Sequence, residues 1–132
     1  MKRLLILVFM LFAMLSFTAF AEAPSPTITR QPAGTTILYS GSVAGSLTVV
    51  ANVAGGGTPS FQWFRNTHNN NNGGTPIAGA TSASLTIPTD LAPGTHFFFT
   101  EVRAPGGAAP VRSNVAVVMV FDASTIEACE LC

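Results

Sequence analysis

Between residues 27 and 121 the sequence breaks into seven short β-rich runs, each ended by a cluster of Pro, Gly, Asn or Ser, and this cadence constrains the fold more than any single residue does. The runs are Thr27 to Gln31, Thr35 to Tyr39, Ser46 to Val53, Ser60 to Arg65, Ala83 to Ile87, Thr95 to Arg103 and Val111 to Phe121. About seven strands in roughly 100 residues is the pattern of an antiparallel β-sandwich. Period-two alternation agrees: Leu47, Val49, Ala51 and Val53 face one side while Thr48 and Asn52 face the other. The turns are equally marked, by Gly55-Gly56-Gly57, by Ala92-Pro93-Gly94 and by Ala104 to Pro110. No stretch up to Phe121 reads as an amphipathic helix. The longest polar stretch, Asn66 to Gly74, has nothing to bury and is expected to be a mobile surface loop in which Asn72-Gly73 deamidates readily.

The segment before these runs is of another kind. Lys2 and Arg3 precede the unbroken apolar run Leu4 to Leu15, and Ala19-Phe20-Ala21 offers a small-x-small cleavage site. Residues 1–21 therefore read as a secretory signal peptide, and the apolar run is shorter than the ~20 residues that cross a bilayer. The expected organisation is signal peptide 1–21, extended leader 22–26, β-sandwich 27–121 and a Cys-containing tail 122–132. The expected location is the periplasm, the cell surface or the medium, with no membrane span after cleavage.

Removing residues 1–21 leaves four arginines and no lysine against six acids, which excludes nucleic acid as a partner on electrostatic grounds. Catalytic and metal chemistry find little support. His68 and His96 stand far apart without metal-ligand spacing and read as solvated polar residues. Asp90 and Glu101 lie on different segments, and Gly55-Gly56-Gly57 lacks the Lys-Ser/Thr of a phosphate loop. The expectation is a non-enzyme with no metal site and no cofactor. Cys129 and Cys132 end the sequence as C-x-x-C, after a capping-box pattern at Ser124 to Glu127. A local or mixed disulfide, a cross-link between chains and a metal or redox role stay open for them.

Four segments in order carry a family resemblance: Phe61-Gln62-Trp63-Phe64-Arg65-Asn66, Gly73 to Ala83 (GGTPIAGATSA), Leu91 to Phe99 (LAPGTHFFF) and Ser113 to Val120 (SNVAVVMV). Together they resemble the bacterial immunoglobulin-like domains of secreted and surface proteins, over about residues 26 to 121. The resemblance implies a Greek-key sandwich in which Trp63 is the core tryptophan of strand C. It implies that Ala51 and Thr100 stand where many such domains place the cysteines of the inter-sheet disulfide, so that bridge is absent. Phe98 stands where a tyrosine corner would put its Tyr. The expected core markers are thus Trp63, Phe98, Ala51 and Thr100.

If Trp63, Phe98, Ala116, Val118 and Val120 point inward, alternation turns Phe64, Phe97, Phe99, Val117 and Met119 outward on neighbouring strands. That set is the candidate partner-binding face, since a contiguous exposed apolar surface marks an interface. Two other readings remain: the tail lays Ile126 and Leu131 over the face, or a one-residue slip exchanges the faces. The function this favours is a non-catalytic interaction or adhesion module that docks a protein partner, self-association included. A spacer or assembly subunit of the envelope is the alternative. Carbohydrate binding is disfavoured for want of polar groups on that face.

Overall fold

The fold is seen in a computed structural model that describes residues 21 to 124. The expected signal peptide, apart from Ala21, and the tail from residue 125 on, with the Ile126 and Leu131 expected as a cover and the Cys129/Cys132 pair, lie outside the described residues. Ten strands follow one another: β1 (Pro26–Arg30), β2 (Thr35–Tyr39), β3 (Ser46–Thr48), β4 (Val50–Val53), β5 (Ser60–Asn66), β6 (Thr75–Pro76), β7 (Ser84–Thr86), β8 (Gly94–Arg103), β9 (Val111–Arg112) and β10 (Ala116–Phe121). They make two layers. One holds the antiparallel pairs β1–β4 and β3–β7, and the other runs in the order β2-β10-β8-β5-β6, with β9 also on β8.

Two of the expected runs are interrupted, each for a local reason. Ser46 to Val53 divides at Val49, where the chain passes from pairing with β7 to pairing with β1, and the Val49 amide donates to the Ala83 carbonyl at 2.9 Å. Val111 to Phe121 divides at Ser113–Val115. There the register on β8 shifts by one residue, from Glu101↔Arg112 to Phe98↔Ala116. The Ser113 hydroxyl accepts the Thr100 amide at 3.0 Å and donates to the Asn114 carbonyl at 2.9 Å, so it serves backbone groups on both sides of the bulge.

The core lies between the layers. Leu47, Val49, Leu85 and Ile87 from one side meet Trp63, Phe98, Ala116, Val118 and Val120 from the other, all buried. The inward set is therefore the one that alternation assigns, and the register does not slip. Trp63 is fully enclosed, and its indole Nε1 donates to the Ser82 carbonyl at 2.9 Å. Thr100 is fully buried on the same face, directly paired with Trp63, and its hydroxyl donates to the Gln62 carbonyl at 3.2 Å.

Ala51 departs from its expected place. It is only half-buried, pairs with Ile28 across β1 and lies outside the core cluster. Val49, two residues earlier at the break between β3 and β4 and 1% exposed, lies in the core cluster instead.

Candidate interaction face

Across the outer side of the six-strand layer, register decides which side chains are neighbours. Asn66 pairs with Phe97, Phe97 with Val117, and Val117 with Thr35. One step along, Thr95 pairs with Met119 and Met119 with Ile37, and beyond them Phe121 pairs with Tyr39. The face expected from the sequence is thus assembled on one side, but it divides into a covered half and an open half.

The covered half is centred on Phe99, which is fully buried although it points away from the core. This corrects the expectation that Phe99 is exposed. Its ring stacks on that of Phe64, centroids 5.1 Å apart and planes 3° from parallel. The Arg112 guanidinium lies 5.5 Å from the Phe99 centroid and 5.8 Å from that of Phe64, a cation–π cover. Gly74 closes the edge. A Cβ there would come within 3.1 Å of both the Arg65 carbonyl oxygen and Phe99 Cε1, and its φ of +84° is one that side chains rarely adopt.

Arg112 also reaches the loop that the sequence presents as mobile. Its Nη1 donates to the Asn71 carbonyl at 2.8 Å, and Asn71 Nδ2 donates to the Ser113 carbonyl at 2.8 Å. Asn66 Nδ2 bonds Asn70 Oδ1 at 3.0 Å and the Asn72 carbonyl at 3.1 Å. The asparagines hydrogen-bond their own backbone, as Asn does in turns, and tie the loop over the Phe64/Phe99 pair. Under the same cover Glu101, 5% exposed, accepts from Arg112 Nε at 3.0 Å and from Arg103. A carboxylate so enclosed needs both partners.

Replacing Arg112 by alanine removes four of these contacts at once, to Asn71, Glu101, Phe64 and Phe99. The expected cost is about 2 kcal/mol, read from urea denaturation. Deamidation at Asn72-Gly73 should also accelerate. In the native chain the pinned backbone keeps the Gly73 nitrogen from swinging onto the Asn72 side chain, so peptide mapping after mild alkaline storage should show slower mass gain than in a free peptide of residues 66–74. Arg112→Ala should approach the peptide's rate; equal rates in native chain and peptide would mean that the loop is not held.

The open half is β2 and the end of β10. Ile37 is 57% exposed, Phe121 46% and Tyr39 43%, with the Tyr39 and Phe121 ring centroids 6.2 Å apart. Phe97, Val117 and Met119 are half-buried beside them. Ile37 and Tyr39 were not in the expected set. The alternation of Thr35 to Tyr39 was available to flag them, but nothing local to those residues says that β2 joins β10 in parallel. Val50 is the other large exposed apolar side chain among the described residues, alone on β4.

His96 corrects a second expectation. It is 9% exposed rather than solvated. Its Nδ1 lies 3.0 Å from Arg65 Nη2, a donor only, so Nδ1 accepts; Nε2 then carries the proton and donates to the Ala92 carbonyl at 2.8 Å. This bond back to the turn four residues upstream does for that corner what a tyrosine hydroxyl does in many sandwiches, while Phe98 serves the core. A cleft of about 410 Å³ opens beside the pair, lined by Arg65, Ile77, Asp90, Leu91 and Phe98 among others. Both imidazole nitrogens are already engaged, which leaves His96 no free nitrogen to serve a substrate. His68 is exposed in the Asn loop, and among the described residues no three His, Cys, Asp or Glu side chains gather as metal ligands.

No protein-family model matches the sequence, and no curated protein does. Solved structures match over most of the described residues. The crystal structure of Sidekick-1 immunoglobulin domains 1–4 superposes with a TM-score of 0.57 at 24% identity, covering 80% of this chain and 26% of that one. The fold is immunoglobulin-like. A second Sidekick-1 structure, of domains 1–5, gives 0.57 at 23% identity over 80% of this chain and 21% of that one. The PKD domain of human KIAA0319 gives 0.53 at 17% identity, over 80% of this chain and 89% of that domain. This chain thus spans about a quarter of the Sidekick-1 length it matches and nearly a whole PKD domain. At these identities the likeness is one of fold, and the immunoglobulin-like sandwich is a scaffold on which function lies in the surface.

Proposed function

We propose that the chain is an exported, non-catalytic protein-interaction module of the bacterial immunoglobulin-like type, and that it docks a protein partner through the open half of its outer sheet face. The observation that carries this reading is the exposure of Ile37, Tyr39 and Phe121 side by side on one face, continuous with the half-buried Phe97, Val117 and Met119. Water-exposed apolar side chains of that size gain most by being covered, and an aromatic pair with aliphatic neighbours is the composition of an interface centre. The earlier face of Phe64, Phe97, Phe99, Val117 and Met119 is thereby revised: Phe64 and Phe99 form the base under Arg112, and Phe97, Val117 and Met119 stay in the docking surface. Export rests on the Lys2-Arg3, Leu4 to Leu15 and Ala19 to Ala21 pattern.

The test is affinity capture from the source's own envelope and medium with the native chain and with Phe121→Arg, both checked by circular dichroism for an unchanged fold. The reading expects at least one protein retained by the native chain and lost by the variant. Retention by both alike, or a glycan array that lights up with no protein retained, would contradict it.

A further inference from the structure

Strand β2 is an edge, and its chemistry differs from that of the other edges. Thr35, Thr36, Ile37, Leu38 and Tyr39 include no charge and no proline, and β2 carries no bulge in its pairing with β10. Other strands with a single paired neighbour are short, charged, proline-bearing or bulged: Pro26 and Arg30 on β1, a bulge in the β1–β4 pair, Pro76 on the two-residue β6, Arg112 on the two-residue β9, and only three residues each in β3 and β7. Among the described residues no strand lies on the outer side of β2.

The parity of the free edge follows from the bonds to β10. The Val117 amide donates to the Gly34 carbonyl at 2.9 Å and the Ser40 amide to the Phe121 carbonyl at 2.8 Å. Gly34, Thr36, Leu38 and Ser40 therefore turn their backbone groups toward β10, and Thr35, Ile37 and Tyr39 turn theirs outward. Three outward residues, two apart and centred on Ile37, match their own image under a two-fold axis.

We infer that the partner of this edge is a second copy of the chain, paired antiparallel, β2 to β2, with the two-fold axis at Ile37. The inference rests on the interaction reading above and names its partner. In this arrangement Ile37 exchanges both backbone bonds with its own counterpart and Thr35 pairs with Tyr39 of the other copy, about six hydrogen bonds in all. A two-fold interface sets the axial residue against itself, so a charge there would meet its like; an isoleucine meets an apolar equal. The small Thr35 lies opposite the large Tyr39, and the outer faces of the two copies join on one side of a continuous sheet. The exposed Ile37, Tyr39 and Phe121 then form one apolar surface across the seam.

Charge exchange at the axis tests this. Light scattering of the full chain across a wide concentration range, under reducing conditions that remove any cross-link through Cys129 or Cys132, is expected to show a dimer. Ile37→Lys and Ile37→Glu, each with an unchanged circular dichroism spectrum because residue 37 faces solvent, are each expected to weaken dimerisation on the order of a hundredfold. An equimolar mixture of the two variants is expected to dimerise again, since opposite charges then meet at the axis. A native chain that stays monomeric throughout, a dimer indifferent to Ile37→Lys, or a mixture that stays monomeric would each overturn the inference. A monomeric chain that still loses a captured protein on Phe121→Arg would sink the self-pairing alone and leave the interaction reading standing.

Discussion

Trp63→Ala is expected to destabilise the domain by about 3 to 5 kcal/mol, which brings a domain of ordinary stability close to unfolding at room temperature. Three effects act together. The indole is completely enclosed within the core cluster that both layers contribute to, so its removal opens a cavity that close-packed neighbouring strands close only in part. Its Nε1 donor also holds the Ser82 carbonyl at 2.9 Å, so the alanine variant leaves a carbonyl without its partner. The segment of residues 77–82 hangs from this residue by its main chain as well. The Trp63 amide donates to Ala80 and its carbonyl accepts from Ile77, both at 2.9 Å. Trp63→Phe separates the effects, keeping much of the volume and losing the donor, and should cost about 1 to 3 kcal/mol. Urea denaturation followed by circular dichroism measures both, because the chain has a single Trp and fluorescence vanishes with it. An alanine variant within 1 kcal/mol of the native chain would mean that the two layers are not packed on this residue.

The second large effect contrasts two phenylalanines on the same outer face. Phe99→Arg is expected to cost more than about 4 kcal/mol, because it places a charge in a fully buried site beside the Arg112 guanidinium, with no acid free to pair with it. Glu101 already serves Arg103 and Arg112. Phe121→Arg should stay within about 0.5 kcal/mol of the native chain, since that side chain is 46% exposed and its charge remains in water. A pair of thermal melts decides the matter, with the expected midpoint of Phe99→Arg lower by well over 10 °C. Equal midpoints would mean that the Asn loop and Arg112 do not cover the Phe64/Phe99 base.

The contrast also shows what the sequence could and could not reveal. Alternation is a local property, and it placed Trp63, Phe98, Ala116, Val118 and Val120 inward and Phe64, Phe97, Phe99, Val117 and Met119 on the opposite side of the sheet. β2 was legible to the residue at both ends, because Gly34 and the Ser40-Gly41 turn flank a run of β-branched, Leu and Tyr residues. Whether an outward residue meets water depends on contacts distant along the chain. Phe99 is covered by Gly74 and Arg112, and Tyr39 is neighbour to Phe121 only because β2 crosses to the second layer and pairs in parallel with β10. Ala51 was placed by the family resemblance alone, and in this chain it is half-buried against Ile28 while Val49 lies in the core. His96 read as solvated because nothing in its neighbours announces Arg65, its partner from a strand that precedes it by 31 residues.

The central claim is that the Ile37/Tyr39/Phe121 half of the outer face is where this module is touched by protein. Site-specific photo-crosslinking in the native source tests it most directly, with a benzophenone side chain in place of Phe121 and, as control, in place of Asn52, which is exposed on β4 in the other layer. The account predicts a discrete protein adduct from position 121 and none from position 52. No adduct from position 121, or the same adduct from both, would contradict it.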